Sequence, residues 1–482
     1  MNLDDLNIDF DEHGRVNQSN YNLNKVTEAL AHISPSMCLA KFTQVTMHLG
    51  TGQVHSCHHP VPHKIPLDEL KENPAALFNT TILKAARTEM LNGKRPGECD
   101  YCWRIEDNKN LSDRHLKSTE DWAILEYDNI AKSKGDDIFK PTYLEVSFGN
   151  TCNMKCAYCG PEFSSKWAEE LKQHGPIKVT DGKDTEDQWV QGWQDLDNLV
   201  IPNREHNPYI DAFWEWFPEI YPKLRHFRIT GGEPLLNKNT LRSLDYVVVH
   251  PSDKLEISIN TNLSVPDQIW DNFLEKIKIL EKDVNFKKIT IFTSFESWGS
   301  RAEYARTGIE FDNVLKRINQ LLDETSVRVT VMAAYNLFAI TSFKQVLEHV
   351  LKLKNKHNTR RSRIGIDIPY VRHPQLLDAQ YCDDGLLAYI KECLEFMEAN
   401  VNDDNCGWKF EPYEVKKLER ILMNRVNFKY TEESVLEINK MRAKFYDFVN
   451  ALDKRRNVNF LETFPEMADF YNVCAQQKRN IQ

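Results

Sequence analysis

The chain has 482 residues, of which 41% are hydrophobic and 27% charged, and its formal net charge is −10. That length supports about two to four domains with sizeable cores, and the acidic balance argues against bulk nucleic-acid backbone binding as the main business. The opening Met1-Asn2-Leu3-Asp4-Asp5-Leu6 has neither the basic start nor the apolar run of a secretion signal, and no run of about 18 apolar residues predicts a membrane span.

A reducing, cytoplasmic setting is therefore expected. There, eleven cysteines point to metal or redox work more than to disulfides. Residues 1–35 read as a polar N-terminal segment, and residues 36–130 as a cysteine-bearing module. In that module Asn73-Pro74 predicts a capped helix start and Asn92-Gly93 its stop, with Phe78, Ile82, Ala86 and Met90 on one face. The stretch Gly93-Lys94-Arg95-Pro96-Gly97-Glu98-Cys99-Asp100-Tyr101-Cys102 follows, and Cys38 and Cys57 lie upstream. Four cysteines in this order can fill four metal positions. On ligand chemistry alone an iron–sulfur cluster and a structural zinc stand level, with His55, His58, His59 and His63 adding to the zinc reading.

Residues 140–375 alternate strands and helices. Strands are predicted at 143–147, 226–230, 255–259, 288–294, 327–333 and 363–369, with helices at 235–248, 266–282, 311–323 and 340–355. Leu255-Glu256-Ile257-Ser258-Ile259 and Val327-Arg328-Val329-Thr330-Val331 alternate with period two. Six alternations imply a parallel sheet with right-handed crossovers, too few for a closed eight-stranded barrel. The expected fold is α/β: a partial (β/α)6 barrel, preceded by the cysteine-rich module and followed by a mostly helical region at 376–482. In the last, Thr431 predicts a helix cap, and Ile438, Met441, Phe445, Phe448 and Leu452 a stripe packed on the barrel. Cys382, Cys393, Cys406 and Cys474 are isolated and read as buried structural residues.

Directly after the first strand comes Cys152-Asn153-Met154-Lys155-Cys156-Ala157-Tyr158-Cys159. Three thiolates can hold three irons of a [4Fe–4S] cluster and leave the fourth open. A zinc site wants four ligands, and the intervening Asn, Met, Lys, Ala and Tyr supply none. The second strand ends in Thr230-Gly231-Gly232-Glu233-Pro234, where paired glycines permit close backbone approach. Between these motifs, residues 160–225 hold Trp167, Trp189, Trp193, Trp214 and Trp216, either shaping a substrate site or covering core. Tyr370, Arg372 and His373 after the sixth strand are candidate substrate contacts.

CxxxCxxC after strand one and GGEP after strand two resemble the radical S-adenosylmethionine (radical SAM) superfamily. The resemblance implies that Cys152, Cys156 and Cys159 bind a catalytic [4Fe–4S] cluster whose open iron takes S-adenosylmethionine. It further implies that Gly231, Gly232 and Glu233 hold the methionyl amino group, and that Tyr158 lies against the adenine. Thr261, Ser294, Glu296, Arg306 and Asn336 are additional candidate cofactor contacts. Thr261 stands in Asn260-Thr261-Asn262, where relatives carry Thr-Asn-Gly and this chain has Leu263 in place of the glycine. The Gly-x-x-Pro-x-x-Cys-x-x-Cys stretch resembles a twitch or SPASM auxiliary-cluster domain, here N-terminal. This implies a second [4Fe–4S] cluster on Cys38, Cys57, Cys99 and Cys102. The segments Leu452-Asp453-Lys454-Arg455-Arg456 and Phe464-Pro465-Glu466 resemble the same subfamily.

The implied activity is reductive cleavage of S-adenosylmethionine to a 5′-deoxyadenosyl radical that takes hydrogen from a substrate. A peptide or protein substrate is the leading expectation, with a sugar or small metabolite next. A flavodoxin- or ferredoxin-type reductant is the expected partner. A non-catalytic iron–sulfur or zinc scaffold is the alternative of another class, and the GGEP turn argues against it.

Overall fold

The computed structural model describes residues 5, 7–8, 20–180, 199–202, 204–282, 288–358, 362–402, 408–428 and 431–481. Cys406, Trp189 and Trp193 lie outside them. The strands are β1 (Gln44–His48), β2 (Gln53–His55), β3 (His63–Lys64), β4 (Tyr143–Ser147), β5 (Lys155–Cys156), β6 (His226–Thr230), β7 (Glu256–Thr261), β8 (Lys288–Thr293), β9 (Arg306–Thr307), β10 (Arg328–Met332) and β11 (Ile364–Asp367).

Nine of these form one sheet in the order β11-β10-β8-β7-β6-β4-β1-β2-β3. From β11 to β1 every neighbouring pair is parallel. The six strands read from the sequence are all present, joined by the helices Lys238–Val249, Asp267–Lys282, Phe311–Glu324 and Phe343–His357. The architecture is mixed α/β with a parallel sheet, consistent with a radical SAM fold. Residues from β4 at one side and β11 at the other line one common cavity. Five strand intervals at about 4.8 Å would separate them by about 24 Å in a flat sheet, so the sheet curls around that space.

Five short strands, β1, β2, β3, β5 and β9, lie outside the six read from the sequence, and β1 has the largest consequence. β1, from the cysteine-bearing N-terminal region, adds in parallel to β4, Gln44 opposite Tyr143 and His48 opposite Ser147. β2 and β3 then extend the edge in antiparallel fashion. The run Gln44-Val45-Thr46-Met47-His48 is short and lies between cysteines, so its period-two pattern is a weak signal. Its consequence is mechanical: Cys38 and Cys57 lie close in sequence to strands of the sheet that carries the CxxxCxxC loop, while Cys99 and Cys102 come from a turn and helix beside it.

The outward positions Leu144, Val146, Phe227, Ile229, Ile257, Ile259, Ile289, Ile291, Val329 and Val331 are buried and join the helices in one apolar core. A second apolar cluster, with Val26, Leu30, Phe42, Trp103 and Trp122, organises the N-terminal helices. Residue Thr431 caps the helix Glu432–Arg456 as expected, accepting from the Ser434 N–H at 3.2 Å. The stripe Ile438, Met441, Phe445, Phe448 and Leu452 is buried, and Phe445 packs on Phe460, Phe470 and Phe338. Cys382, Cys393 and Cys474 are buried too.

The helix read from Asn73 needs correction. Asn73 caps only the 3-10 turn Pro74–Leu77, and the α-helix runs Thr81–Leu91, capped by Thr80. Its buried face is Leu83, Ala86, Arg87 and Met90, while Ile82 points outward. Strict spacing by four drifts around a 3.6-residue helix, and Thr80 is a second cap signal seven residues on. Among the described residues no helix is long and apolar enough to cross a membrane.

Candidate functional site

The loop 148–165 folds as it does because polar side chains tie it down at both ends. Ser165 Oγ accepts from the Cys152 N–H at 3.2 Å, Ser164 Oγ donates to the Met154 carbonyl at 2.6 Å, and the Trp167 indole N–H donates to the Cys156 carbonyl at 2.7 Å. The Cys159 N–H closes a turn on the Cys156 carbonyl at 2.9 Å. On its far side the loop pairs as β5 with β9, Cys156 opposite Arg306. Asn153 donates to the Ser264 carbonyl at 2.7 Å and accepts from Asn262 at 2.9 Å.

Cys152, Cys156 and Cys159 line one cavity of about 400 Å³, together with Tyr158, Gly231, Gly232, Thr261, Ser294 and Arg306. Nine sequence-predicted residues thus converge. His373 also lines it, whereas Tyr370 and Arg372, predicted beside it, are not on its wall and contact each other instead. Met154, Glu162, Phe163, Asn260 and Asn262 border the space as well. They sit next to the named motifs, and only their neighbours carried a chemical signal.

The GGEP glycines are required by the protein itself. A Cβ on Gly232 would lie 2.5 Å from the Thr151 carbonyl oxygen, and one on Gly231 2.9 Å from Ser147 Oγ, with Gly231 at φ +132°. The turn docks on the cysteine loop through Glu233 N–H to Thr151 carbonyl at 2.8 Å. Glu233 is buried and faces the core of the turn. Its Oε1 accepts from Leu235 N–H at 3.0 Å and Thr261 Oγ at 2.8 Å, and its Oε2 from Asn262 N–H at 2.7 Å. Burial pushes this carboxyl up to about 7, against those three donors. Glu233 therefore clamps the end of β6 to the end of β7, and Thr261 answers it there. Leu263 adopts φ +56°, the left-handed conformation in which a glycine costs least. The Thr-Asn-Leu turn keeps the shape with a buried leucine, held by Arg317 donating to the Leu263 carbonyl at 2.8 Å.

Glu296 and Arg306 form a buried pair at 2.8 Å. The Tyr158 hydroxyl donates to the same Glu296 oxygen at 3.0 Å, and the Arg306 guanidinium lies 5.3 Å from the Tyr158 ring and 3.9 Å from Cys156 Sγ. The other carboxylate oxygen, Glu296 Oε1, is buried without a hydrogen-bond partner. Burial opposes the Arg306 charge, but Glu296 outweighs it and raises the pKa, so the guanidinium stays protonated. Burial also pushes Tyr158 well above its usual range. Asn336 is fully buried in a turn, accepting from the Phe338 N–H at 2.9 Å and donating to the Ala334 carbonyl at 2.7 Å, and is not on the cavity wall.

A support absent from the sequence reading comes from the C-terminal helix. Arg456 pairs with buried Glu170 at 3.2 Å, donates to Thr307 Oγ at 3.0 Å and lies 4.7 Å over Trp167. Lys155 reaches the same Glu170 at 2.5 Å. The Leu452–Arg456 segment therefore braces the cysteine loop from behind, and Tyr304 adds a hydrogen bond to Asp453 at 2.8 Å.

Cys38, Cys57, Cys99 and Cys102 border a second, small cavity of about 20 Å³. Lys41, ion-paired to Glu98, and Arg114, paired to Glu106 at 2.7 Å, flank it. Of the four histidines named above, His59 alone lines this space, and its Nε2 is engaged by Asp113 at 2.7 Å. Burial pushes Cys99 up to about 12 and Cys102 up to about 11. At the loop site burial likewise pushes Cys152 up to about 12 and Cys159 well above its usual range. Thiols so buried ionise only when a strong cation takes the proton's place.

Among the described residues, no three His, Cys, Asp or Glu side chains are arranged to hold a single metal ion. A zinc ion gathers its thiolates tightly, with Zn–S bonds of about 2.3 Å, whereas a cluster takes each thiolate on a different iron. Three thiols on one wall with space beside them fit a cluster with an additional ligand.

Residues 146–338 match the Radical SAM superfamily. The match spans both motifs and runs from the end of β4 through β10. No curated protein matches the chain.

Proposed function

We propose, from the premise of a radical SAM domain at residues 146–338, that this chain is an enzyme in which Cys152, Cys156 and Cys159 hold a [4Fe–4S] cluster. When bound, that cluster and S-adenosylmethionine supply the 5′-deoxyadenosyl radical that removes hydrogen from a substrate. The single observation that carries the reading is the convergence of the three thiols and the GGEP glycines on one cavity of about 400 Å³.

The chain's own residues have distinct parts. Gly231 and Gly232 keep the wall flat enough for a ligand to reach backbone groups. Ser294 borders the cavity, and Thr261 borders it with its hydroxyl engaged by Glu233. Glu233 acts at one remove, fixing Thr261 and Asn262, and Asn336 acts through the turn it closes. Arg306, held by Glu296, offers a fixed positive charge to a carboxylate, and Tyr158 lends an aromatic face beside it. Preorganised charges of this kind cost no reorganisation when the reaction occurs.

In the same reading Cys38, Cys57, Cys99 and Cys102 hold an auxiliary [4Fe–4S] cluster in a twitch-like N-terminal module. The enzyme works in the reducing cytoplasm with a flavodoxin- or ferredoxin-type reductant. Between the two substrate classes, a peptide or protein and a small metabolite, the charged chamber inside the sheet supports the small metabolite.

The test is anaerobic reconstitution followed by iron, sulfide and zinc assay of the wild type and of a Cys152→Ala/Cys156→Ala/Cys159→Ala variant. The wild type should bind about twice the iron of the variant and form 5′-deoxyadenosine with dithionite. Equal iron in both, or zinc in place of iron, rejects the proposal.

A further inference from the structure

The inner wall of the sheet is unlike a barrel core. Interiors of parallel barrels are filled by bulky branched side chains, and parallel strands usually read as continuous apolar runs. Here the inward positions carry His226 and Arg228 on β6, Glu256 and Ser258 on β7, Lys288 and Thr290 on β8, and Arg328 and Thr330 on β10. They line a chamber of about 800 Å³, within the range of small-molecule sites, roughly 300–1,000 Å³.

This chamber lies on the same face of the strands as the cysteine cavity. Along β7, Glu256 and Ser258 line the chamber and Asn260 lines the cavity; along β8, Lys288, Thr290 and Phe292 line the first and Ser294 the second. Arg228 donates to Asn260 at 3.2 Å, at the join between the two. At the other end Lys117 borders both the chamber and the N-terminal cysteine cavity. The chamber therefore spans the distance between the two cysteine sites.

Its charges do not cancel locally. The wall carries Lys117, Arg228, Lys288, Arg328 and Lys417 against Glu120, Asp121, Glu256 and Asp367. Lys417 is paired with Asp367. Lys288 stands 3.9 Å from Glu256, and Arg228 stands 3.8 Å from Glu145. The Lys117 ammonium is buried with no hydrogen-bond partner, and so is the Arg328 Nε, although the Arg328 guanidinium also bonds Tyr413. A buried ammonium without an acceptor is costly, and an oxyanion is a ligand that satisfies it.

We propose that the chamber binds a small molecule through a carboxylate or phosphate group held by Lys117, with Arg328 and Lys288 elsewhere on the same wall. The name "substrate" for that molecule rests on the radical SAM reading; the oxyanion site itself does not. From Glu256 to Asn260 is four residues, about 13 Å along the strand. A ligand anchored at the base thus presents the end remote from its anionic group to the cavity of Cys152, Cys156 and Cys159. Hydrogen is then removed from a carbon far from the anionic group.

The experiment is calorimetric titration of the reconstituted protein with inorganic phosphate and, separately, with succinate, at constant ionic strength. Each titration is repeated on Lys117→Gln, Arg328→Gln and Lys288→Gln, with circular dichroism to select the variants that fold. Millimolar or tighter binding by the wild type, weakened roughly tenfold or more in the folded Lys117 variant, supports the site. Binding of phosphate alone assigns a phosphorylated ligand, and of succinate alone a carboxylate. No binding of either probe, or equal affinity in wild type and variants, overturns it. A protein that forms deoxyadenosine but binds neither probe loses this inference and keeps the proposed function; the reverse result does the opposite.

Discussion

The two cysteine sites sit on one sheet and differ in what they leave open. The loop site brings three thiols from eight consecutive residues to the edge of a 400 Å³ cavity. The N-terminal site draws four thiols from three separate stretches around about 20 Å³, room for little beyond a group the four thiols would hold. A complete ligand set around a closed space describes a structural or electron-transfer centre; an incomplete set beside an open space describes one that binds something else. The supports differ in the same sense. The loop is fixed by backbone hydrogen bonds, by Glu170 with Arg456, and by Glu296 with Arg306, so its geometry does not depend on the metal alone.

That contrast can be broken in graded steps. The largest effect is expected from Cys152→Ala/Cys156→Ala/Cys159→Ala, which should abolish deoxyadenosine formation to background while the protein keeps the iron of the other site. Next, Cys99→Ala/Cys102→Ala should lower iron by about half yet leave S-adenosylmethionine binding measurable by calorimetry. Loss of that binding would mean the two sites are not separate.

Arg306→Met leaves Glu296 as an uncompensated buried charge, so it should cost about 3–5 kcal/mol in denaturant unfolding. The double variant Glu296→Gln/Arg306→Met should recover much of that loss. Gly232→Ala should cost about 1–3 kcal/mol, because its methyl meets the Thr151 carbonyl and pushes the two motifs apart.

The last effect is a pH dependence. Glu233 has its folded pKa raised to about 7 from an ordinary 4.5. Between those values the unfolded chain loses the proton and the folded one keeps it, so its contribution makes stability fall as pH rises from about 4.5 to 7 and level off above. Thermal unfolding of Glu233→Gln across that range should show a flatter profile than the wild type.

Much of this was legible because chemistry and periodicity coincide in the sequence. The strand Phe227-Arg228-Ile229 ends in Gly231-Gly232, and Tyr143–Ser147 runs into Cys152, so the sequence alone sets each motif on the rim. Glu233 and Asn336 show the limit: a motif names a residue type, but only packing tells whether the side chain faces the cavity or the turn behind it. The brace of Glu170 by Arg456 joins positions 286 residues apart, beyond any local pattern. The charged chamber leaves a trace in the sequence too. The alternation in Leu255–Ile259 and Val327–Val331 marked strands, yet polar residues facing into a parallel sheet also mark a space to be filled.

The most direct measurement of the central claim is EPR of the dithionite-reduced, reconstituted Cys99→Ala/Cys102→Ala protein, in which only the loop cluster remains. Adding S-adenosylmethionine should shift the cluster signal and yield 5′-deoxyadenosine. An unshifted signal with no deoxyadenosine from an intact cluster would contradict the account.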